Sequence, residues 1–261
     1  MQKIWTIVAK EWSEVFKNRL VLFTVIFMPL IFVALPLIML ATMDSLGADS
    51  INGGGELGIN EASCVGISEA ECVQVYMLDI FTLLFMILPI SIPVTIAAYS
   101  IVGEKASHSL EPLLATPITT GELLTGKALS AAIPAIVATW FSFLLYLIGV
   151  RIMTNATILA HVLDPLWLLA VFLLGPLLTI LSVCTAIIIS SRVTDPRVAE
   201  QLSAVVILPI ILLLVGQSMG LIILDGQIIV LGAVIVTIID AILLFIAVKA
   251  FQRETILTKW K

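Results

Sequence analysis

Charged side chains are scarce in this sequence. Of its 261 residues, 12% are charged and 61% are hydrophobic, whereas a water-soluble domain has roughly 25% charged and 45–50% apolar residues. A single water-soluble core cannot hold this excess of apolar side chains. The composition therefore excludes an ordinary soluble domain and predicts a polytopic membrane protein.

Cysteine and histidine are also rare, with three and two copies respectively. No group of residues has the spacing of metal ligands, and no nucleophile is paired with a base, so we predict neither a metal site nor a catalytic residue. Cys184 falls inside an apolar stretch and is interpreted as a small packing residue. Cys64 and Cys72 share one predicted outer loop, where a disulfide is permitted. Their spacing allows this bridge without requiring it, so both alternatives stay open.

Six apolar stretches are long enough to cross a bilayer as helices, which takes about 20 residues each. They predict an all-α membrane bundle that forms a single transmembrane domain over residues 1–261. Its spans are placed at 20–43, 76–101, 128–150, 166–189, 202–224 and 228–250.

Only Asp225–Gln227 separates the last two spans, so a re-entrant element around Gly216–Gly220 is the alternative to two plain spans. Prolines lie inside most spans, most densely in Leu88–Pro93, and are expected to kink their helices.

Lysine and arginine are almost confined to one side of these spans. Of the thirteen basic residues, Arg151 alone falls on the other side. Because basic loops are retained in the cytoplasm, we predict a multi-pass protein of a prokaryotic-type cell membrane with both termini cytoplasmic. The loop 44–75 is then extracytoplasmic, and its acidic, Gly-rich sequence obeys the same rule. The other twelve basic residues are Lys3, Lys10, Lys17, Arg19, Lys105, Lys127, Arg192, Arg197, Lys249, Arg253, Lys259 and Lys261.

Residues 1–18 predict an amphipathic helix that lies at the membrane surface. Its apolar residues share one face at helical spacing, and its lysines fall on the other face. The alternative is that this stretch is simply the cytoplasmic end of a long first helix. The apolar residues are Ile4, Trp5, Val8, Trp12, Val15 and Phe16.

Residues 119–130, TTGELLTGKALS, nearly match the G-x-x-x-x-G-K-[ST] loop that holds phosphates in ATPases. Thr119 and Glu122 also form a capping-box pattern, which predicts that a helix begins at Thr119 and already runs through Gly126 and Lys127. In a phosphate loop those glycines lie in a non-helical turn, and a hydroxyl residue follows the lysine, where this chain has Ala128. We therefore expect no nucleotide site in this chain.

The longest predicted cytoplasmic connection is residues 103–127, between the second and third spans. Leu110, Leu113 and Leu114 fall on one face of a short helix, which Pro117 should end. The result is a two-turn helix that exposes leucines beside the membrane. An exposed apolar face of this kind usually marks a contact surface.

The stretch GEKASHSLEPLLATPITTGELLTGKAL, residues 103–129, closely resembles the signature of type-2 integral-membrane (permease) subunits of ABC transporters. In that family a Gly-Glu-Lys/Arg element follows the second span. A Leu-Glu-Pro-Leu-Leu-Ala-Thr-Pro element comes next, and Glu-Leu-Leu-x-Gly-Lys begins the third span. The six-span layout and the N-terminal helix extend the resemblance over the whole chain, although it says nothing of substrate.

The resemblance implies a permease subunit, most often of an exporter, that pairs with a second permease subunit as a homodimer or with a paralogue. Separate ABC ATPase subunits would bind the ATP and Mg²⁺, so this chain itself would hold no cofactor. The implied partners are therefore the ATPase, the second permease and the lipid bilayer, with no nucleic acid. The helix in 103–127 would be the coupling helix that enters a groove on the ATPase. Its candidate contact residues are Glu104, Lys105, Leu110, Glu111, Leu113 and Leu114.

Asp240 is the one acidic residue near the middle of a predicted span. An ionisable side chain at that depth is costly and is by default a candidate for function, here on a translocation path. The alternative is a hydrogen-bonded acid whose partner is Thr237 or another hydroxyl. An ion-coupled secondary transporter or channel that uses Asp240 is accordingly the alternative function.

Several polar residues fall at the outer ends of the spans. Asp79 is expected at the membrane interface. Arg151, His161 and Asp164 are expected to pair with one another or with the acidic outer loop. The cytoplasmic loop 190–197, SSRVTDPR, is expected to form a second contact with the ATPase.

Overall fold

The computed structural model describes residues 2–46, 68–106, 119–222 and 225–250. These residues form helices joined by short turns and contain no strand. The helices are α1 (Gln2–Val15), α2 (Arg19–Leu46), α3 (Glu69–Phe85), α4 (Leu88–Ala106), α5 (Thr120–Met153), α6 (Ala156–Val162), α7 (Pro165–Leu169), α8 (Gly175–Ser190), α9 (Pro196–Ser203), α10 (Leu208–Ser218) and α11 (Gly226–Ala250).

Within the described ranges, six stretches are long and apolar enough to cross a membrane, which confirms the all-α, six-span prediction. They are Val21–Met43, Glu71–Lys105, Gly121–Met153, Ala156–Ser190, Pro196–Ser218 and Gly226–Ala247.

The second span lies at the centre of the bundle. In the most apolar 18 residues of this span, 72% are buried inside the protein, against 17% in the corresponding part of the fifth and sixth spans. Its lower half, α4, packs against α5, α8 and α9.

Proline residues break the second span, as expected. Helix α3 ends at Phe85, and α4 begins at Leu88, just before Pro89. In the break, the amide of Met86 bonds to the carbonyl of Leu83, so the last turn tightens from i−4 to i−3 bonding. Pro89 has no N–H to continue the α-helical ladder across this point.

The fourth span is irregular for a similar reason. A π-helical turn, Ala170–Leu174, separates α7 from α8, and Pro176 follows at the start of α8. Because the ring of a proline clashes with the carbonyl four residues earlier, the helix widens there instead of continuing regularly.

The fifth span begins and ends earlier than predicted, running over Pro196–Ser218 instead of 202–224. The polar residues after Pro196 hide this start in the hydropathy pattern, but Asp195 caps it by accepting a bond from the amide of Arg197 at 2.8 Å. Gly220 ends the span with a φ of 67°, and Leu221 N bonds to Gly216 O at 2.9 Å. This region therefore holds two helices that are each long and apolar enough to cross a membrane.

The N-terminal helix α1 packs along the start of α5. Ile7, Val8 and Val15 are buried, whereas Trp5 is 60% exposed. The indole of Trp12 donates a hydrogen bond to the carbonyl of Ser130 at 3.0 Å. The buried face of this amphipathic helix thus contacts the protein itself.

The two helices cross closely at Gly126. A Cβ atom at this position would lie 2.7 Å from Cγ2 and 2.9 Å from Cβ of Ile7. No side chain fits there unless α1 shifts, since the nearest atoms include the branch point of Ile7. Gly126 therefore permits the contact between α1 and α5.

We predict that Gly126→Ala lowers stability relative to Gly121→Ala by about 1–3 kcal/mol. Both changes replace a glycine in the first turns of α5, so the gain in helix propensity is common to both. A Cβ at Gly121 meets nothing within 4 Å. Thermal unfolding of the purified variants in detergent measures the difference, and equal midpoints would show that α1 does not pack on Gly126.

Candidate functional site: a buried charge cluster

The coupling residues predicted from the sequence fall in two groups. Glu104 and Lys105 lie in the last turn of α4. Leu110, Glu111, Leu113 and Leu114 lie outside the described residues, as does the short helix expected to carry them, so their roles stay predictions. The end of the bundle where α1, the last turn of α4 and the first turns of α5 meet is called the basic end below.

A cluster of two lysines, two glutamates and a serine joins three helices at the basic end. The ammonium of Lys127 on α5 lies 2.9 Å from Oε1 of Glu11 on α1 and 2.7 Å from Oε2 of Glu104 on α4. It also donates to the hydroxyl of Ser100 at 2.9 Å. We call Lys10, Glu11, Ser100, Glu104 and Lys127 the charge cluster.

Two further contacts complete the charge cluster. Ser100 donates a short hydrogen bond to Oε2 of Glu11. Lys10 donates to Oε1 of Glu104 at 2.8 Å, whereas Lys127 contacts the other oxygen of that carboxylate. Glu104 is therefore held between two ammonium groups, one from α1 and one from α5.

The charge cluster is almost sealed from solvent at its centre. The side chains of Lys127 and Glu11 are each 2% exposed, and that of Glu104 is 6% exposed. Removing isolated charges from water costs several kcal/mol per ion, which one partner rarely offsets. Here two positive and two negative groups balance, and each buried charge has more than one polar contact. The buried charges are therefore stable only while the contacts between these side chains are kept.

Lys10 extends the charge cluster to the surface of α1. Partial burial lowers its pKa, but the hydrogen bond and charge of Glu104, with the charges of Glu11 and Glu14, raise the pKa above the usual 10.5. A cation whose pKa is raised on folding contributes its full stabilisation below the unfolded value and loses it as pH rises through the folded value. This contact therefore persists at neutral pH and is lost only under alkaline conditions.

Lys105, the next residue after Glu104, points to a different element. Its ammonium donates to the backbone carbonyls of Ser191 at 3.4 Å and Val193 at 3.2 Å. These carbonyls belong to the connection between the fourth and fifth spans, within the predicted contact loop 190–197. Two consecutive residues at the end of α4 thus tie the second span to α1 and α5 on one side and to this connection on the other.

Residues 119–130, whose sequence resembles a phosphate loop, form the capped start of α5 in the structure. Thr119 is the N-cap of α5: its hydroxyl accepts a bond from Glu122 N at 3.2 Å, and Glu122 Oε2 accepts one from Thr119 N at 2.9 Å. This confirms the predicted capping box. Helix α5 runs unbroken through Gly126 and Lys127, and both residues serve helix packing. Gly126 and Lys127 therefore do not lie in the non-helical turn of a phosphate loop.

At the opposite end, Asp79 of α3 binds two groups of the fourth span. His161 Nε2 lies 2.9 Å from Asp79 Oδ1, and the indole of Trp167 donates to the same oxygen at 3.1 Å. Asp164 instead caps α7 by accepting from Leu166 N at 2.9 Å. Among the described residues, His161 therefore pairs with Asp79, a partner on another span that was not predicted from the sequence. Most of the acidic loop lies outside the described residues, so a contact with that loop stays a prediction.

Two of the three cysteines are among the described residues. Cys72 lies buried in the first turns of α3 and is disulfide-bonded, while Cys184 is a free, buried thiol in α8. Cys64 lies outside the described residues, so the pairing of Cys64 with Cys72 stays a prediction.

Asp240, the predicted residue of a translocation path, is buried on the inner face of α11 with 5% exposure. Among the described residues, neither carboxylate oxygen has a hydrogen-bond partner. The suggested partner Thr237 donates instead to the carbonyl of Ala233 at 2.7 Å. A role for Asp240 in translocation stays a prediction.

Sequence reasoning found Glu104 but missed the residues that surround it. Glu11 lies on the same helical stripe as Val8 and Val15, both buried, and a charge on an apolar stripe signals a buried partner. Lys127 stands between the apolar residues of the third span, which is the same kind of signal. Their pairing across 116 positions leaves no local pattern in the sequence.

We predict that Lys127→Met destabilises the protein by about 3–5 kcal/mol, because Glu11 and Glu104 then remain buried without their shared cation. Lys17→Met, at an exposed position just after α1, is the matched control and should change stability by less than about 0.5 kcal/mol. Unfolding midpoints of the purified variants measure both changes.

Adding Glu11→Gln to Lys127→Met restores the charge balance and should recover part of the loss. If Lys127→Met is no more harmful than Lys17→Met, the buried cluster does not hold these helices together.

The family comparison agrees with this architecture. The family model described as ABC-2 family transporter protein matches residues 5–246, from α1 to the sixth span. No match was found among the curated proteins that were compared. The family provides membrane subunits, which are normally not catalytic, and implies an ABC ATPase partner and a membrane context. The chain therefore belongs to the ABC-2 family of transporter proteins and is a multi-pass membrane subunit of an ABC transporter.

Proposed function

We propose that this subunit is the permease of an ABC exporter in a prokaryotic-type cell membrane. It pairs with a second permease subunit and docks on separate ATPase subunits that bind ATP and Mg²⁺. The basic end faces the cytoplasm with both termini, so the ATPases approach the bundle where the charge cluster lies. The positive-inside distribution of Lys and Arg supports this orientation.

The observation that carries the proposal is the position of the charge cluster relative to residues 107–118. This segment holds the predicted coupling helix and is flanked by Glu104 and Lys105 on one side and by the capped start of α5 on the other. Glu104 contacts Lys127 of α5 and Lys10 of α1. Both flanks of the segment are therefore fixed to each other and to α1.

This arrangement supports a specific route for the force. A push on residues 107–118 reaches α4 through Glu104 and Lys105, since these residues follow directly in the chain. Glu104 transmits it to α1 and α5, and Lys105 transmits it to the connection after the fourth span. Because α4 belongs to the most buried span, the movement extends to the packed centre of the bundle. The elements at the basic end then move as one body.

The proposal also assigns the nucleotide to the partner. Lys127 would be the phosphate ligand of a loop in this chain, but its ammonium is 2% exposed and bound by two carboxylates. A phosphate would have to displace both of them from a closed cluster. ATP binding by a separate polypeptide is consistent with this use of Lys127.

We predict that Leu113→Asp weakens association with the cognate ATPase by about tenfold or more, because a charge then replaces the apolar face that enters the groove. Glu111→Lys should weaken it too. The matched control is Leu163→Asp, since Leu163 is a 42% exposed leucine at the opposite end of the bundle. Co-purification with candidate ATPases and titration of the complex measure the affinities.

Wild-type affinity in Leu113→Asp and Glu111→Lys would contradict docking through this segment. Transport by the purified chain without any ATPase would contradict the proposal as a whole and favour an ion-coupled transporter or channel.

A further inference from the structure

We infer that Asp240 is a proton-binding site inside the membrane, between the fourth and sixth spans. The inference does not depend on an ATPase partner and concerns a part of the bundle remote from the charge cluster. It rests on the position of one carboxyl group and on the groups that surround it.

Asp240 faces the interior of the protein. Ala233, Asp240 and Ala247 are all buried on α11, each 6% exposed or less. Their seven-residue spacing places them on one stripe of the helix, and α11 packs chiefly against α8. The carboxyl group therefore points towards α8 and away from lipid.

Both oxygens of Asp240 lack a hydrogen-bond donor within the part of the chain that the structure describes. Buried hydroxyls at membrane depth can be satisfied within their own helix, as when Thr179 and Thr139 donate to backbone carbonyls one turn earlier. A hydroxyl carries its own donor for this purpose, whereas an ionised carboxylate has none. Only the protonated form of Asp240 could satisfy itself in the same way.

The elements packed against α11 supply no cation within the described residues. Cys184 of α8 is the titratable group that interacts electrostatically with Asp240, and the π-turn and α7 contain none. On α5, Glu122 and Arg151 lie in the first and last turns. The other titratable groups of α5 are engaged elsewhere: Lys127 in the charge cluster, and Tyr146, whose hydroxyl lies 3.5 Å from that of Thr82.

A carboxylate without donors or a cation costs far more in a low-dielectric interior than the neutral acid. The surroundings of Asp240 therefore select the form with a bound proton. An ionisable group at this depth is rare, because an ion in the membrane interior costs free energy, and it is by default a candidate for function. For Asp240 that function is a site where a proton can bind and leave.

Labelling with dicyclohexylcarbodiimide tests this inference, since this apolar reagent reacts with neutral carboxylic acids. The full chain in lipid nanodiscs is treated between about pH 6 and pH 9, and the adduct is located by peptide mass spectrometry. We expect labelling at Asp240 that declines as the pH rises. Asp240→Asn should remove it, and Asp225→Asn should leave it unchanged, because Asp225 is an exposed acid at the far end of the same helix.

Thermal unfolding supplies a second readout that does not need the reagent to reach the site. A proton bound in the folded protein makes wild type lose stability relative to Asp240→Asn as the pH rises. Absent or pH-independent labelling, together with a stability difference that does not change with pH, would overturn the inference. Protection from labelling by Na⁺ or K⁺ at constant pH would also overturn it, because a metal cation would then occupy the carboxylate.

Discussion

The ammonium of Lys127 is the point on which the basic end of this protein depends. It lies between the carboxylates of Glu11 and Glu104, and so it joins α1, α4 and α5 in a place almost closed to water. A buried charge of this kind is stable only while its partners remain. The charge cluster is therefore a constraint on geometry: three helices must keep one mutual arrangement, and the close approach at Gly126 reinforces it.

This constraint suits a membrane subunit that works with a partner protein. In the proposed function, a push from the ATPase has to reach the spans through this end of the bundle. Here Glu104 and Lys105 occupy adjacent positions at the end of the most buried span, yet they contact different elements. Asp240 shows the reverse situation, because it is a buried acid with no described partner. At the basic end, each buried charge contacts a charge of opposite sign. The sixth span instead contains a buried acid that favours a bound proton.

Features that depend on local chemistry could be predicted from the sequence. The spans follow from apolar length, the start of α5 from Thr119 and Glu122, and the break before α4 from its prolines. Features that depend on distant pairing could not be predicted. Glu11 lies on an apolar stripe and Lys127 near the start of a span, but no local pattern in the sequence pairs them across 116 positions. His161 likewise pairs with Asp79, a residue of another span. The start of the fifth span was not predicted for a different reason, because its first turns are polar.

The most direct test of the account is a distance between α1 and α5 in the assembled transporter. Spin labels at Ser13→Cys and Thr125→Cys, both exposed positions, report this distance by pulsed electron paramagnetic resonance with and without ATP on the partner subunits. If the charge cluster makes the basic end move as one body, the distance distribution stays narrow and unchanged by ATP. A distance that shifts or splits when ATP binds would show that α1 and α5 move independently, and the account of coupling through the cluster would be wrong.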